Sequence, residues 1–369
     1  MESIYCYDPA VNDPLSKVRG IGRYLQILKE NFPKWKYVRN LEIRNSILDI
    51  FINPFFNFLQ PPLKIKGKFK KKVAVIHDLI PLKHPKYFPV GIKGRINILR
   101  NKLALKNYDI IVTDSYASKK DIVRLLKVKQ NKIRIIYPCL PKIFGSNSII
   151  DNRYTEKNNE KPTSNIKYPI SGFCLYVGDA TWNKNLVNLA KAIKIINATC
   201  VFVGKVFQSN SILDTRYSEK SKKPIFQYPV SDIKINHPWQ REFKQLLKEV
   251  ENDKRFIFLG YVPDEKLIQL YRQAKCNILV SRDEGFGFSY FEAASQGCPS
   301  VLADINVLRE TSKNKGALFA KPDNPNGIAN SIGEVYFNQS LRNKLGKDAK
   351  ERTRFFSQQK IISEFNKIF

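Results

Sequence analysis

The chain alternates short apolar runs with amphipathic stretches. Residues 4–7, 73–76, 110–113 and 133–137 are short runs rich in β-branched and aromatic side chains, with the length and composition of buried strands. Residues 23–31, 92–106 and 121–127 place apolar positions three and four apart, which predicts helices. The alternation resumes with strands over 173–177, 200–203, 256–259 and 276–281 and helices over 186–196, 240–251, 265–274 and 289–296. Strand–helix repetition of this kind predicts parallel, doubly wound sheets, because each crossover helix covers a sheet face. Residues 145–169 are rich in Asn, Lys, Ser and Glu without a period and read as a linker. The expected organisation is α/β in two domains, 1–145 and 170–354, joined by residues 146–169. A polar insertion covers 205–239, and a terminal helix over 355–369 returns to the first domain. Within linker and insertion, Arg153-Tyr154-Thr155-Glu156-Lys157 resembles Arg216-Tyr217-Ser218-Glu219-Lys220, and each precedes a Tyr-Pro pair. Two copies are too few for a solenoid.

Composition changes this picture in two places. A length of 369 residues with 43% hydrophobic content suits two buried cores and excludes global disorder. The six cysteines, Cys6, Cys139, Cys174, Cys200, Cys276 and Cys298, form no C-x-x-C pair and lie mostly in apolar runs. They read as reduced core thiols rather than a disulfide framework or zinc site. No apolar stretch has signal-peptide form or reaches 18 residues, so the expectation is a cytoplasmic protein, at most peripheral on the inner face of the plasma membrane.

The net charge of +30 is the outlier. Such a surface attracts anions over a Debye length, about 8 Å at physiological salt. Anionic phospholipid, a lipid-diphosphate-linked acceptor and nucleic acid are the candidate partners; no helix-turn-helix, zinc-finger or RNP pattern accompanies the charge, which disfavours nucleic acid. The densest cluster, Lys64, Lys66, Lys68, Lys70, Lys71 and Lys72, follows an aromatic stretch over 51–59. Apolar plus polybasic is the composition of a membrane-surface patch. The plainer alternative is a buried strand and loop wall over 51–58, then a solvated lysine turn before the strand at 73–76.

The run Glu284-Gly285-Phe286-Gly287-Phe288-Ser289-Tyr290-Phe291-Glu292 carries the most chemistry. It joins the expected strand at 276–281 to the helix at 289–296, and in open α/β sheets ligands bind at the carboxyl ends of strands. Gly285 and Gly287 let backbone approach a phosphate, and the helix N-terminus favours negative charge. Two carboxylates there are explained if they reach past the phosphates to accept hydrogen bonds from sugar hydroxyls. By itself the run is also compatible with a solvated Glu284 and a Glu292 serving the helix dipole.

The run resembles the E-x7-E donor signature of the family-4 retaining glycosyltransferases, which have the GT-B fold of two Rossmann-like domains facing across a cleft. Five further segments match in order: Arg19-Gly20-Ile21-Gly22-Arg23-Tyr24; Val75-Ile76-His77-Asp78-Leu79-Ile80-Pro81-Leu82; residues 109–121; Leu175-Tyr176-Val177-Gly178 with Trp182-Asn183-Lys184-Asn185-Leu186; and Phe258-Leu259-Gly260-Tyr261-Val262-Pro263. The resemblance implies transfer of a sugar from a nucleotide-diphosphate sugar to a glycan or lipid-linked hydroxyl, in cell-surface polysaccharide or glycolipid assembly. It implies no metal cofactor, and no D-x-D cluster is present.

Residue by residue, the resemblance makes Lys184 the cation on the leaving diphosphate, Glu284 the acceptor of sugar-ring hydrogen bonds and Glu292 that of the ribose. It sets His77 against the donor sugar and assigns donor contacts to Gly20, Gly22, Gly178, Ser281, Gly285, Phe286, Gly287 and Phe288. Asn183 departs from the family's usual Arg before the lysine, which removes a cation. Ser289 replaces a common Pro. The other reading of such a chain is a catalytically silent GT-B scaffold that binds nucleotide sugar or polyanion.

Overall fold

The computed structural model describes residues 3–9, 20–39, 42–145, 172–208 and 237–369. The linker at 146–169, the two resembling segments and most of the insertion at 205–239 lie outside the described residues. Two six-stranded sheets organise the chain. The first has the order β2-β1-β3-β4-β5-β6, from β1 (Ile4–Tyr7), β2 (Lys36–Val38), β3 (Glu42–Asn53), β4 (Lys66–Val75), β5 (Ile110–Thr113) and β6 (Ile133–Ile135). The second has the order β12-β11-β10-β7-β8-β9. Its strands are β7 (Cys174–Val177), β8 (Cys200–Val203), β9 (Phe256–Gly260), β10 (Cys276–Leu279), β11 (Ser300–Ala303) and β12 (Ala317–Ala320). Every pairing is parallel. Each sheet is doubly wound, and its strand order reverses once, between β1 and β3 in the first and between β7 and β10 in the second.

The second sheet follows from its sequence. Every residue of β8, β10 and β11 is buried, as expected for parallel strands covered on both faces. Leu186–Ile196 buries Leu186, Leu189, Ala190 and Ile193, the one-stripe spacing of an amphipathic helix. It ends on Asn197 in the left-handed region, a common helix stop. In the first half, the helix Tyr116–Leu126 starts five residues ahead of its expected position, because Ser115 Oγ accepts from the Ser118 N–H and caps it.

The segment around 51–72 differs from the sequence reading. Lys64 to Lys72 is no turn: β4 begins at Lys66 and alternates exposed Lys66, Lys68 and Lys70 with partly buried Gly67 and Phe69. That is the period-two pattern of a half-solvated strand. Phe69 faces inward against Tyr5 and Phe51. Phe51, Phe56 and Phe58 are buried in the same cluster, so the aromatic stretch is core wall and the β4 lysines have no exposed aromatic companion there. Lys70 pairs with Asp49 at 2.7 Å, and Lys71 donates to the Ile368 carbonyl at 3.0 Å.

That last contact ties the chain's end to its beginning. The helix Gln358–Asn366 inserts Ile361 and Phe365 among Cys6, Tyr24, Leu28 and Trp35 of the first sheet's core. All six cysteines are buried free thiols.

Candidate active site

Lys184 and Glu284 are set by the two central strands of the second sheet. β7 and β10 are neighbours across the strand-order reversal, where an α/β sheet opens its ligand crevice. Beyond β7 the chain makes a 3-10 turn, Trp182–Lys184, closed by Asn185 at φ 61°. The buried Asn185 amide donates to Val280 and Pro322 carbonyls at 2.9 and 2.7 Å, locking the turn against β10. Asn183 is buried too: its amide donates to the Asp283 carbonyl and its own carbonyl accepts from the Arg282 N–H. The residue that replaces the family's arginine therefore ties the two loops together.

This scaffold leaves Lys184 Nζ 2.6 Å from Glu284 Oε1, which also accepts from Ser281 Oγ at 2.7 Å. Burial opposes the Lys184 charge, but Glu284, Asp179 and Asp78 outweigh it and raise the pKa. The side chain is an ammonium paired with Glu284. Asp78, from the other half, stays exposed as a residue, and its pKa is raised chiefly by desolvation of the carboxyl, with a contribution from the Glu284 charge.

The glycines of the loop are there for space. Gly287 sits at φ 95°, and a Cβ on it would lie 2.8 Å from Leu308. Gly285 brings the halves together: a Cβ there would meet the His77 carbonyl at 3.0 Å and Asp78 Cβ at 3.1 Å. Gly178 faces the Tyr176 hydroxyl, 2.7 Å from where its Cβ would be. Gly20 and Gly22 open the helix Gly20–Asn31, with open space around Gly20. Phe286 is buried and stacked on Phe291 at 4.7 Å, and Phe288 is partly buried in the core, so both rings are committed to packing. Ser289, in the first turn of the helix Phe288–Ser295, has a buried hydroxyl without a hydrogen-bond partner among the described residues.

Two assigned residues are engaged within the chain. Glu292 is buried, with Arg23 Nε 3.0 Å from one carboxylate oxygen and the Tyr271 hydroxyl 3.1 Å from the other. Burial raises its pKa against the pull of Arg23. Arg23 also forks onto both Asp264 oxygens at 2.6 and 2.7 Å. His77 turns both ring nitrogens into its own half, Nδ1 to Asp114 at 2.6 Å and Nε2 to the Pro54 carbonyl at 3.0 Å. Burial lowers its pKa, but Asp114 and Asp78 together raise it above the ordinary value. Only the imidazolium donates to both acceptors. At this closure the backbone of His77 and the carboxyl of Asp78, rather than the imidazole, border the Gly285 loop.

Arg23, Asp78, Asp264 and Asp283 received no role from the sequence. Asp283 accepts from Lys83 and His84 of the first half at 2.8 and 2.9 Å. Glu310 accepts from the Tyr116 and Ala117 backbone N–H groups at 2.7 and 3.0 Å. The available signals were position alone, Asp283 beside Glu284 and Arg23 inside the first glycine motif. Among the described residues no three His, Cys, Asp or Glu side chains gather to hold a metal ion.

Two doubly wound sheets that meet at their strand ends make up the GT-B fold. The chain belongs to the glycosyl transferases group 1 family, whose profile matches residues 157–352. It is 25% identical over 332 residues to O-antigen chain mannosyltransferase B of Escherichia coli, covering 89% of this chain and 77% of that protein. It is 22% identical over 266 residues to O-antigen chain mannosyltransferase RfbU of Salmonella typhimurium, covering 72% of this chain and 61% of that one. In fold it resembles Anabaena Alr3699/HepE, solved in complex with UDP-glucose, with a TM-score of 0.65 at 14% identity over 100% of this chain and 99% of that one.

Proposed function

We propose that this glycosyltransferase moves mannose, with retention of anomeric configuration, from a nucleoside-diphosphate donor to a hydroxyl of a growing cell-surface polysaccharide or lipid-linked glycan. The observation that carries the reading is the convergence of Lys184 and Glu284 at the carboxyl ends of β7 and β10. The mannosyl and polysaccharide parts rest on the names of the two bacterial relatives.

The chemistry follows from the charges. The anomeric C–O bond breaks with its electron pair passing to the diphosphate, the acceptor oxygen bonds the same carbon, and the acceptor proton goes to a departing phosphate oxygen. Negative charge grows on the leaving group. Lys184 answers it, assisted by backbone N–H groups at Gly285 to Phe288. Reorganisation is small, because Lys184 is already an ammonium and only exchanges part of its Glu284 contact for phosphate. Glu284 then accepts from a sugar hydroxyl while countering positive charge on the ring. Glu292 meets the ribose through the lone pairs that Arg23 and Tyr271 leave. No step in this route calls for a metal ion.

A thermal-shift screen of nucleoside diphosphates and their sugars, followed by turnover of the best donor, tests the proposal. Binding raises Tm in proportion to ln(1 + [L]/Kd). GDP-mannose should shift Tm and be consumed with acceptor; a shift and transfer with UDP-glucose alone would move the donor assignment, and no shift with any nucleotide would overturn it.

A further inference from the structure

The helix Gly91–Leu105 carries apolar side chains on two faces. Its inward face packs Ile98 and Leu105 against the first half's core, between Gly94, Asn97 and Asn101, and the asparagine amides donate to the carbonyls of Leu59, Phe58 and Gln60. Its outward face carries Ile92, Ile96, Leu99 and Leu103, with 79%, 44%, 62% and 56% of each residue exposed. At about 100° per residue these four fall within an arc of about 60°, a continuous apolar stripe. Lys93 and Arg100 border it on one side; Arg95, Lys102 and the following Lys106 border it on the other, all exposed. No acidic residue occurs from 91 to 106.

We propose that this helix docks the enzyme on an anionic phospholipid surface, with the apolar stripe in the acyl boundary and the two cation rows on headgroup phosphates. A stripe of isoleucine and leucine rimmed by lysine and arginine is the composition of an interfacial helix, and the net charge of +30 has the matching sign. A second copy of the chain fits less well, because a two-fold contact along the stripe sets cation rows against cation rows. The face differs from the β4 lysines, whose neighbouring aromatics are buried.

The placement suits a lipid-linked acceptor, which rests on the transferase reading above. The helix begins at a cavity of about 330 Å³ lined by Tyr87 and Pro89 from the first half and Trp182, Trp239 and Arg241 from the second. Trp182 stacks on Tyr87 at 3.8 Å and belongs to the same turn as Lys184. Trp182 is covered by Tyr87 and by Arg282, 5.2 Å from its ring centroid, while Tyr87 stays exposed and puts an aromatic ring at the mouth of the site, on the path of sugars arriving from the membrane side.

Sedimentation with vesicles of phosphatidylglycerol and phosphatidylcholine tests the docking without reference to activity. Wild type should sediment with the mixed vesicles and not with pure phosphatidylcholine. The variant I92Q/I96Q/L99Q/L103Q, which keeps every charge, should lose at least about tenfold in partitioning. K66Q/K68Q, which removes charge from β4, should lose far less. Transfer to a short soluble acceptor should be unchanged in the helix variant, separating a failure of docking from a failure of the transferase reading. Undiminished sedimentation of the helix variant at wild-type Tm, or a wild-type dimer that this variant converts to monomer without affecting vesicle binding, would overturn the proposal.

Discussion

Arg23 and Glu292 form an ion pair across the two halves of the chain, Nε to Oε1 at 3.0 Å, with both side chains largely buried. The same guanidinium forks onto Asp264, so one cation from the first glycine motif is shared by two carboxylates of the second half. Removing it leaves Glu292 beside Asp264 with the Tyr271 hydroxyl as its side-chain partner among the described residues. Loss of one partner from a buried pair costs about 3–5 kcal/mol. Arg23→Ala should therefore lower Tm and enlarge the radius of gyration as the halves part. Adding Glu292→Gln should recover part of the loss, and unchanged Tm and scattering would contradict the bridging role.

The two glutamates of the run should separate functionally. Glu292→Ala weakens nucleoside-diphosphate binding, whereas Glu284→Ala mainly lowers turnover, since only Glu284 is proposed to touch the reacting sugar. A lost charge-assisted hydrogen bond is worth about 1.5–3 kcal/mol, or roughly tenfold to hundredfold in affinity. Calorimetry with GDP and UDP on both variants checks this; equal loss of affinity in the two would contradict it.

His77 gives a pH prediction with a definite sign. Its folded pKa is raised by Asp114 and Asp78 despite burial, above an ordinary value of about 6.5. The folded state then binds its proton more tightly than the unfolded state, so the contribution is full below about 6.5 and is lost as pH rises through the folded value. Wild-type Tm should fall relative to His77→Gln as pH climbs above neutrality. Parallel Tm profiles for the two proteins would contradict a retained imidazolium.

Neighbouring glycines should fail in different ways. Gly287→Ala meets both a left-handed backbone, at about 1–2 kcal/mol, and Leu308 at 2.8 Å, so it should lower Tm. Gly285→Ala meets the other half of the chain at 3.0 Å and should cut turnover while Tm stays near wild type. A Gly285→Ala enzyme with normal turnover would show that this approach is unnecessary for the reaction.

Legibility in the sequence followed burial. The strands from β7 to β10 and the helix Leu186–Ile196 were readable because their side chains all answer to one apolar environment. The buried end of β4 was legible as the apolar run at 73–76, but its first half was hidden because Lys66, Lys68 and Lys70 supply its solvent face, and a lysine run gives no strand preference of its own. The glycines and acids of the run from Glu284 to Glu292 were visible as a motif. Their partners were not: Arg23 lies 269 positions before Glu292 and Asp78 lies 206 before Glu284 in the sequence, and such pairs exist only once the halves meet. The outward face of Gly91–Leu105 was missed for a related reason. Its period fits a helix, and nothing in a period says that asparagines point inward.

The central claim is that Lys184 carries the charge of the departing diphosphate, and turnover of donor by Lys184→Ala, measured beside its Tm, tests it most directly. Asn183 is spent on holding Asp283 and supplies no second cation. The expected result is a folded protein with turnover reduced by roughly 100-fold to 1,000-fold, as for loss of an electrostatic stabiliser. A folded Lys184→Ala enzyme that kept most of its turnover would contradict the account and assign the diphosphate to another basic side chain of the cleft.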